Sequence, residues 1–372
     1  MSNPHFSFDF ENFQTPPELL TYADNFVPSN MRSVSYYKRL QKIGQGTFGE
    51  VFKARNTEND EIVALKKILM ENEKEGFPIT ALREIKLLQS IRHPNVTELI
   101  EICSEKTGEN VFAFYLVFSF CDHDLGGLLS SNQIMLQLPQ IKTMLKHILS
   151  GLEAIHRSNV LHRDIKAANI LITHDGILRI ADFGLARLDF RQGQASACFT
   201  NNVVTLWYRP PELLLGARDY GKAIDIWGVG CIMAEMWTRS PILKGDSEQR
   251  QLCLISELCG SINGSSWPKC RRLPLYNRLE LPQNLPKRIR ERFYDRIQND
   301  DAISLLEAML TLNPEHRPDA GRALDHDFFY THPLPLENIK LLVSTLPANL
   351  FEYTMQCGAH ANRSQVVPNI SY

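Results

Sequence analysis

Two short acidic motifs flank a predicted β-hairpin in the middle of the chain, and they constrain its fold more than any other feature. His162-Arg163-Asp164 precedes the hairpin, Asn169 begins its first strand, and Asp182-Phe183-Gly184 follows its second strand. The apolar runs 169–172 and 177–180 are typical of strands, and a glycine-containing turn separates them. A hairpin of this length brings its two ends together, so we expect Asn169 and Asp182 to lie side by side.

Phosphoryl transfer requires an arrangement of this kind. One carboxylate orients the attacking hydroxyl and accepts its proton, while separate oxygen ligands hold Mg²⁺ against the transferring phosphate. Asp164 supplies the first part, and Asn169 and Asp182 supply the second. The paired motifs therefore predict a phosphotransfer site.

Composition excludes several other classes of protein. The chain has 372 residues, a formal net charge of -2 and 44% hydrophobic residues, which argues against a disordered chain and against a globally basic nucleic-acid binder. We expect no direct nucleic-acid binding. The eight cysteines form neither a CxxC pair nor a metal-ligand spacing, so we expect reduced thiols. The sequence has no apolar run of membrane-spanning length and no secretory signal, so we predict an intracellular protein without membrane contact.

Apolar periodicity changes along the chain and divides it into four parts. Residues 36–120 alternate as strands do and include one helical stretch, which predicts a small β-rich lobe, whereas residues 121–330 predict a larger, mainly helical lobe. Residues 1–35 and 331–372 lack sustained periodicity, so we predict a flexible N-terminal extension and a C-terminal tail. The predicted fold class is therefore α+β with two lobes. The predicted helices are 80–91, 138–156, 223–237, 248–259 and 302–310.

A glycine-rich segment in the small lobe is typical of a phosphate-binding loop. Gly44, Gly46 and Gly49 lie between two strand-like runs, where the missing Cβ lets backbone amides approach phosphate oxygens. A hairpin that merely needs glycine would give the same pattern. Lys66 in the next strand can reach the phosphates, and Glu84 in the following helix can fix its position. The adjacent Lys67 is the alternative, but its side chain should face the opposite side of the strand.

These motifs, taken in order, resemble those of the eukaryotic protein kinases over roughly residues 36–329. The matching segments are Gly44 to Val51, Val63 to Lys66, His162 to Asn169, Asp182 to Gly184, and Pro211-Glu212. The resemblance implies a bilobal kinase fold, with one regulatory helix in the small lobe, that binds ATP and Mg²⁺ in the cleft.

The resemblance also assigns roles to individual residues. Gly44, Gly46 and Gly49 would cover the phosphates, Lys66 would bind them and Glu84 would anchor Lys66, while Asn169 and Asp182 hold Mg²⁺. Asp164 would be the base, Lys166 would contact the γ-phosphate and Thr205 would brace Asp164 by a hydrogen bond. Asp124 would reach the ribose. The residues that would line the adenine pocket are Ile43, Val51, Ala64, Phe118, Leu171 and, in the hinge, Cys121.

Two further features would be structural. Glu212 and Arg317 match a buried ion pair in the large lobe of kinases. Asp225, at the start of an apolar helix, matches a residue that holds backbone amides of the catalytic loop, although an ordinary helix N-cap explains it nearly as well.

Within the kinases, the chain is similar to cyclin-dependent kinases that act in transcription elongation. The helix from Pro78 to Ile91 opens like a cyclin-binding helix, and Phe48 replaces the tyrosine whose phosphorylation inhibits cell-cycle members. This resemblance implies a cyclin of the T or K type docked on that helix, the C-terminal repeat domain of RNA polymerase II as substrate, and a nuclear location, although no clear import signal is present.

The activation segment carries a further predicted switch. Thr200 aligns with the threonine that is phosphorylated in active family members, and Arg83, Arg163 and Arg187 match the arginines that bind its phosphate. A surface threonine in a loop is the alternative. Val203-Val204 matches a strained backbone that selects proline after the phosphorylated residue, because proline has no amide to leave unpaired.

Two readings from other classes of protein compete with the enzyme. A kinase-fold scaffold without activity usually lacks the lysine, the base or a metal ligand, and this chain has all of them. A nucleic-acid-binding module is suggested only by the basic residues among 287–292, which are also typical of a solvated helix face.

Overall fold

The computed structural model describes residues 31–46, 49–68, 79–107, 112–131, 134–189, 199–200 and 203–355. Phe48 and Pro78, which entered the sequence predictions, lie outside these residues, as does the side chain of Arg83. No helix in the described ranges is long and apolar enough to cross a membrane.

A twisted six-stranded sheet forms the small lobe, with the strand order β1-β5-β6-β4-β3-β2. Neighbouring strands are antiparallel except that β1 pairs parallel with β5, which covers one edge of the sheet. The strands are β1 (Arg32–Ser33), β2 (Tyr37–Gly46), β3 (Gly49–Asn56), β4 (Ile62–Ile68), β5 (Leu99–Lys106) and β6 (Phe112–Ser119).

One helix, α1 (Ile79–Ser90), accompanies this sheet, as predicted. Its buried Ala81 and Ile85 pack against Ile68, Phe114 and Leu116 of the sheet. Because this packing fixes α1 against β4, another side chain on the face of α1 that carries Ala81 and Ile85 can contact a side chain of β4.

The large lobe is mainly helical and contains the largest core cluster. Its central helix, Ala223–Thr238, is apolar and buried on nearly all sides, as expected of a helix that other helices enclose. The helices in the described ranges are α2 (Leu125–Ser130), α3 (Leu138–Arg157), α4 (Pro211–Leu214), α5 (Ala223–Thr238), α6 (Glu248–Cys259), α7 (Ile289–Ile297), α8 (Asp300–Met309), α9 (Ala320–Leu324) and α10 (Lys340–Val343). Short 3₁₀ segments lie at 34–36, 167–169, 206–208, 270–272, 314–316 and 327–329.

Small strands at the junction of the lobes carry the paired motifs. The predicted hairpin is present as β9 (Ile170–Ile172) and β10 (Leu178–Ile180), and β9 also pairs with β7 (His123–Asp124) of the hinge. Gly176 in the hairpin turn has φ 74°, and a Cβ there would lie 2.2 Å from the Lys340 nitrogen, so only glycine fits. A second pair joins β8 (Val160–Leu161) to β11 (Arg187–Leu188).

The segment after residue 330 differs from the tail that the sequence suggested. Its described residues run along the large lobe as far as the hinge, and Ile339, Val343, Leu350 and Phe351 are buried. The Ile339 amide donates to the Gly176 carbonyl at 3.2 Å. The apolar residues of this segment are too few and too unevenly spaced to produce a visible period, which explains why the sequence pattern suggested a tail.

Candidate active site

The hairpin brings the two acidic motifs together. The Ala181 amide donates to the Asn169 carbonyl at 2.9 Å, which places Asp182 beside Asn169. Asn169 Nδ2 donates to the carbonyl and to the Oδ2 of Asp164, at 2.8 and 3.0 Å. This orientation leaves the amide oxygen of Asn169 free to face a cation. His162 Nε2 also donates to the Ala181 carbonyl at 3.0 Å, so both motifs are tied directly to each other.

Asp164 lies at the centre of a small polar cluster. Thr205 Oγ1 donates to its Oδ1 at 3.0 Å, and Lys166 Nζ donates to its Oδ2 at 2.7 Å. Lys166 Nζ is also 3.3 Å from Thr205 Oγ1. The carboxylate is therefore held on both oxygens, by Thr205 on one and by Lys166 on the other. This arrangement suits a base whose position must be fixed next to an anionic group.

Lys66 of β4 bridges the two lobes. Its Nζ lies 2.8 Å from Glu84 Oε1 on α1 and 2.9 Å from Asp182 Oδ1. Burial lowers the pKa of Lys66, but the two carboxylates outweigh burial and the pKa is raised overall. Burial alone would raise the pKa of Asp182, but the charge of Lys66 outweighs burial and lowers this pKa to about 2. Lys66 is thus cationic and Asp182 anionic at neutral pH.

A buried carboxylate holds the catalytic loop from below. Asp225 on α5 accepts hydrogen bonds from the amides of His162 and Arg163, at 3.0 and 2.8 Å, and from His156 Nε2 at 2.9 Å. The predicted contact with the loop is therefore present. The N-cap alternative is not, because Lys222 occupies the N-cap position of α5. Arg163 has φ 67°, so the carboxylate holds a strained residue in place.

The predicted pair of Glu212 and Arg317 is also present. Arg317 Nη1 and Nη2 donate to the two oxygens of Glu212 at 2.6 and 2.8 Å, and both side chains are almost fully buried. The remaining guanidinium hydrogens donate to the carbonyls of Ala223, Thr311 and Leu312. The pair joins α4 to the segment after the 3₁₀ turn 314–316, and the bond to the Ala223 carbonyl reaches the start of α5.

The residues assigned to the nucleotide pocket lie on adjacent strands at the cleft. Register pairs place Gly44 opposite Val51, Val51 opposite Lys66, and Gly46 opposite Gly49. The other pocket residues are placed as follows: Ala64 is opposite Phe118 and Leu171 is opposite Asp124, while Ile43 and Cys121 are buried nearby. Burial raises the pKa of the Cys121 thiol to about 12, so it is protonated.

Asp124 has partners that the sequence did not predict. Its carboxylate caps α2 by accepting from the Gly127 amide at 2.6 Å, and it accepts from the Glu352 amide at 3.0 Å. Burial, the largest cause, raises the pKa of Asp124 to about 7. The Asp124 amide in turn donates to the Leu350 carbonyl at 3.0 Å. The C-terminal segment therefore lies against the hinge at the predicted ribose contact.

The same segment continues toward the small lobe. Phe351 packs edge to face on Phe120 of the hinge, with ring centroids 6.4 Å apart, and Lys53 of β3 lies 3.3 Å from Asn349 Oδ1. The sequence pattern predicts no role for these residues. Their only signal was the run Phe351-Glu352-Tyr353, which is aromatic within an otherwise irregular stretch.

The activation segment is described only in part. Thr200 is exposed, and its carbonyl accepts from Tyr220 Oη at 2.6 Å. Arg163 Nη1 donates to the same Tyr220 oxygen at 2.8 Å, so a tyrosine that was not predicted links the arginine to Thr200. Arg187 Nη1 donates to the Ala186 carbonyl at 2.8 Å. The structure thus brings Arg163 close to Thr200.

The backbone beside Thr205 is strained. Val204 has φ 66°, which is unusual for a β-branched residue. Its carbonyl accepts from Arg209 Nε and Nη2 at 3.1 and 3.0 Å, and Arg209 Nη1 is 2.5 Å from Glu248 Oε1. The carbonyl is therefore turned toward Arg209.

Comparisons with known proteins agree with this geometry. The protein kinase domain family matches residues 37–329. The chain is 53% identical to a probable cyclin-dependent kinase 9 of Caenorhabditis elegans, covering 90% of this chain and 78% of that protein. It is 54% identical to cyclin-dependent kinase 9 of Homo sapiens, covering 86% and 87% respectively. A solved structure of the yeast RNA Pol II CTD kinase CTDK-1 complex aligns with a TM-score of 0.73 and 37% identity, covering 83% of this chain and 98% of that one. The chain therefore belongs to the protein kinase family and, within it, to the cyclin-dependent kinases.

Proposed function

We propose that this chain is the catalytic subunit of a proline-directed serine/threonine kinase that acts on the C-terminal repeat domain of RNA polymerase II and on elongation regulators. The observation that carries this proposal is the placement of four polar residues in the cleft: Lys66 contacts Asp182, Asn169 contacts Asp164, and the backbone bond between Ala181 and Asn169 holds the two pairs side by side. Such a cluster contains each part that phosphoryl transfer needs. It also disfavours an inactive scaffold, since none of these parts is missing.

Members of the protein kinase family use ATP and Mg²⁺, and the donor set here fits that use. Asp182 and Asn169 offer an anionic and a neutral oxygen, the hard ligands that Mg²⁺ prefers. Mg²⁺ bound with ATP would neutralise charge on the transferring phosphate. Lys66, on the small-lobe side of the cleft, would bind phosphate oxygens, because Glu84 keeps the Lys66 ammonium in the cleft. Gly49, whose φ is 148°, would let the glycine loop lie close above them.

Asp164 would align the substrate hydroxyl and accept its proton. Thr205 and Asn169 each hold one of its oxygens, which fixes the carboxylate, and Lys166 lies where the γ-phosphate would pass. Asp124 and the residues around Cys121 would bind the ribose and the adenine. These groups position the reactants rather than form bonds with them, which is how kinases achieve most of their rate enhancement.

Preference for proline after the phosphorylated residue follows from Val204. Because its carbonyl already accepts from Arg209, a peptide amide at that position would lose its hydrogen-bond partner in the complex. Proline has no amide and avoids this loss. A pair of peptides that differ only in Ser-Pro against Ser-Ala tests the proposal. We expect the Ser-Pro peptide to have the higher kcat/KM, and equal values would refute the preference.

Regulation would depend on a cyclin and on phosphorylation of Thr200. Arg83, Arg163 and Arg187 would bind the phosphate, which carries about −1.5 to −2 charges at neutral pH. A cyclin of the T or K type would dock on the helix from Pro78 to Ile91, and the names of the relatives, which are cyclin-dependent kinases, support a cyclin partner. The chain would act in the nucleus, where its polymerase substrate is found. Identification of the cyclin that co-purifies with the chain tests this assignment, and recovery of a cell-cycle cyclin would contradict it.

A further inference from the structure

Tyr220 lies in the segment just before α5, and its hydroxyl joins the activation segment to the catalytic loop. We propose that Tyr220 is a positioning residue that holds Arg163 next to the activation segment before Thr200 is phosphorylated. Its hydroxyl thereby takes over part of the role of the phosphate. The inference rests on the proposed function, because it concerns the regulation of the same kinase site.

The Tyr220 hydroxyl has one partner in each of the two segments. It donates to the Thr200 carbonyl at 2.6 Å and accepts from Arg163 Nη1 at 2.8 Å. A phenol can do both at once, because its oxygen carries one hydrogen and can also accept. Tyr220 is 4% exposed, and burial, the largest cause, raises its pKa, so the hydroxyl keeps its proton at neutral pH. The two hydrogen bonds therefore form a buried link from residue 200 to the catalytic loop.

Phe199 also holds the activation segment against Tyr220. The Phe199 amide donates to the Arg218 carbonyl at 2.9 Å, and the centroid of its ring lies 5.2 Å from that of Tyr220. The guanidinium of Arg163 lies over the same Phe199 ring at 5.7 Å. These contacts depend on the backbone and the rings and not on the tyrosine oxygen. Replacement of Tyr220 by phenylalanine should therefore remove the link and keep the packing.

Arg163 carries the effect of this link to the reacting groups. It is buried, and within the described residues its guanidinium donates to two neutral oxygens, Tyr220 Oη and the Leu185 carbonyl. Its backbone is strained, with φ 67°, and it directly precedes the proposed base, Asp164. A shift of Arg163 therefore displaces Asp164, whose alignment with the substrate hydroxyl determines the rate.

A phosphate on Thr200 would make this link largely redundant. It would bring about −1.5 to −2 charges next to a buried cation whose described hydrogen-bond partners are neutral. Hydrogen bonds between ionised groups are roughly twice as strong as neutral ones. The bond between Tyr220 and Arg163 should thus affect the rate most in the unphosphorylated protein. A buried tyrosine whose hydroxyl only satisfies its neighbours would affect both forms equally.

The test measures kcat for a Ser-Pro peptide with the full chain in complex with its cyclin. Thr200→Ala gives a form that cannot be phosphorylated at this position, and it keeps the backbone carbonyl that Tyr220 contacts. We expect Thr200→Ala/Tyr220→Phe to be about tenfold slower than Thr200→Ala, because loss of a hydrogen bond to a charged group typically costs that factor or more. In the phosphorylated protein, Tyr220→Phe should reduce kcat by no more than about twofold, because the phosphate holds Arg163.

Tyr330→Phe is the matched control, because it removes the same hydroxyl from a tyrosine that is 65% exposed and outside the link. It should leave kcat unchanged in both forms, and thermal melting checks that each variant is folded.

A reduction by the same factor in both forms would overturn the proposal, because it would show that the Tyr220 hydroxyl has a merely structural role. An unchanged kcat in the Thr200→Ala background would overturn it as well. Absence of turnover by the unaltered, phosphorylated complex would instead contradict the proposed function, on which the inference rests.

Discussion

Replacing Asp225 by asparagine should damage both stability and catalysis, because this carboxylate is the only described link between α5 and the amides of His162 and Arg163. Asp225 is 1% exposed. Burial opposes its charge, and the hydrogen bond from His156 helps to outweigh burial, so its pKa is lowered. Asparagine keeps one acceptor oxygen and places an NH₂ group against a donor.

The size of the effect follows from these contacts. In its most favourable orientation, the new side chain places its amide oxygen where Asp225 Oδ2 was and keeps the contacts with His162 and His156. It then loses the 2.8 Å bond from the Arg163 amide. A hydrogen bond to a charged group contributes about 1.5–3 kcal/mol, so the free energy of unfolding should fall by about this amount. Arg163 has φ 67°, a conformation that costs about 1–3 kcal/mol and that the lost bond no longer offsets. The backbone should relax and displace Asp164.

Displacement of Asp164 by about 1 Å would reduce kcat about 100-fold. The free energy of unfolding is measured by urea denaturation, and kcat by turnover of a Ser-Pro peptide with the cyclin-bound protein. Asp219→Asn is the matched control, since Asp219 is exposed on the segment just before α5. If Asp225→Asn were as stable and as active as Asp219→Asn, the reasoning would be refuted.

Three other changes test further contacts. Glu212→Gln breaks a buried bidentate pair with Arg317 and should lower the free energy of unfolding by about 3–5 kcal/mol in urea titrations; a loss below about 1 kcal/mol would contradict the burial argument. Lys66 lowers the pKa of Asp182 to about 2, so this ion pair stabilises the folded protein above the ordinary pKa of 3.8, and the stabilisation is lost as the pH falls toward 2. The difference in Tm between the unaltered protein and Lys66→Met should therefore shrink across that range. A constant difference in Tm would exclude the linkage. Thr200→Ala should lower the turnover of cyclin-bound, phosphorylated enzyme at least tenfold, measured with a Ser-Pro peptide, and equal rates would remove Thr200 as the switch.

Contiguous motifs made much of the site predictable from sequence. Lys66 and Glu84 were paired because each falls in a recognisable strand or helix, and Asp164, Asn169 and Asp182 because one short hairpin separates them. The helix predicted at 248–259 matches α6 in both bounds. These predictions depend on local patterns of apolar and polar residues, which any sequence that forms the same helices and strands contains.

Contacts between distant segments were not predictable in this way. Asp124 meets Glu352, which follows it by 228 residues, and no local pattern indicates which segment will cover the hinge. Tyr220 likewise joins Arg163 to Thr200 through its hydroxyl alone. Strand β1 is only two residues long and pairs parallel with β5, so it has no alternation to detect. In each case tertiary packing, rather than local propensity, determines the contact.

Transfer of radiolabel from γ-labelled ATP to a Ser-Pro peptide tests the central claim most directly. The measurement compares the cyclin-bound protein, supplied with Mg²⁺, with its Asp164→Asn variant, whose folding is checked by thermal melting. We predict that the unaltered protein labels the serine and that the variant, although folded, is at least 100-fold slower. Equal labelling by both proteins, or none by a correctly assembled and phosphorylated complex, would contradict the account.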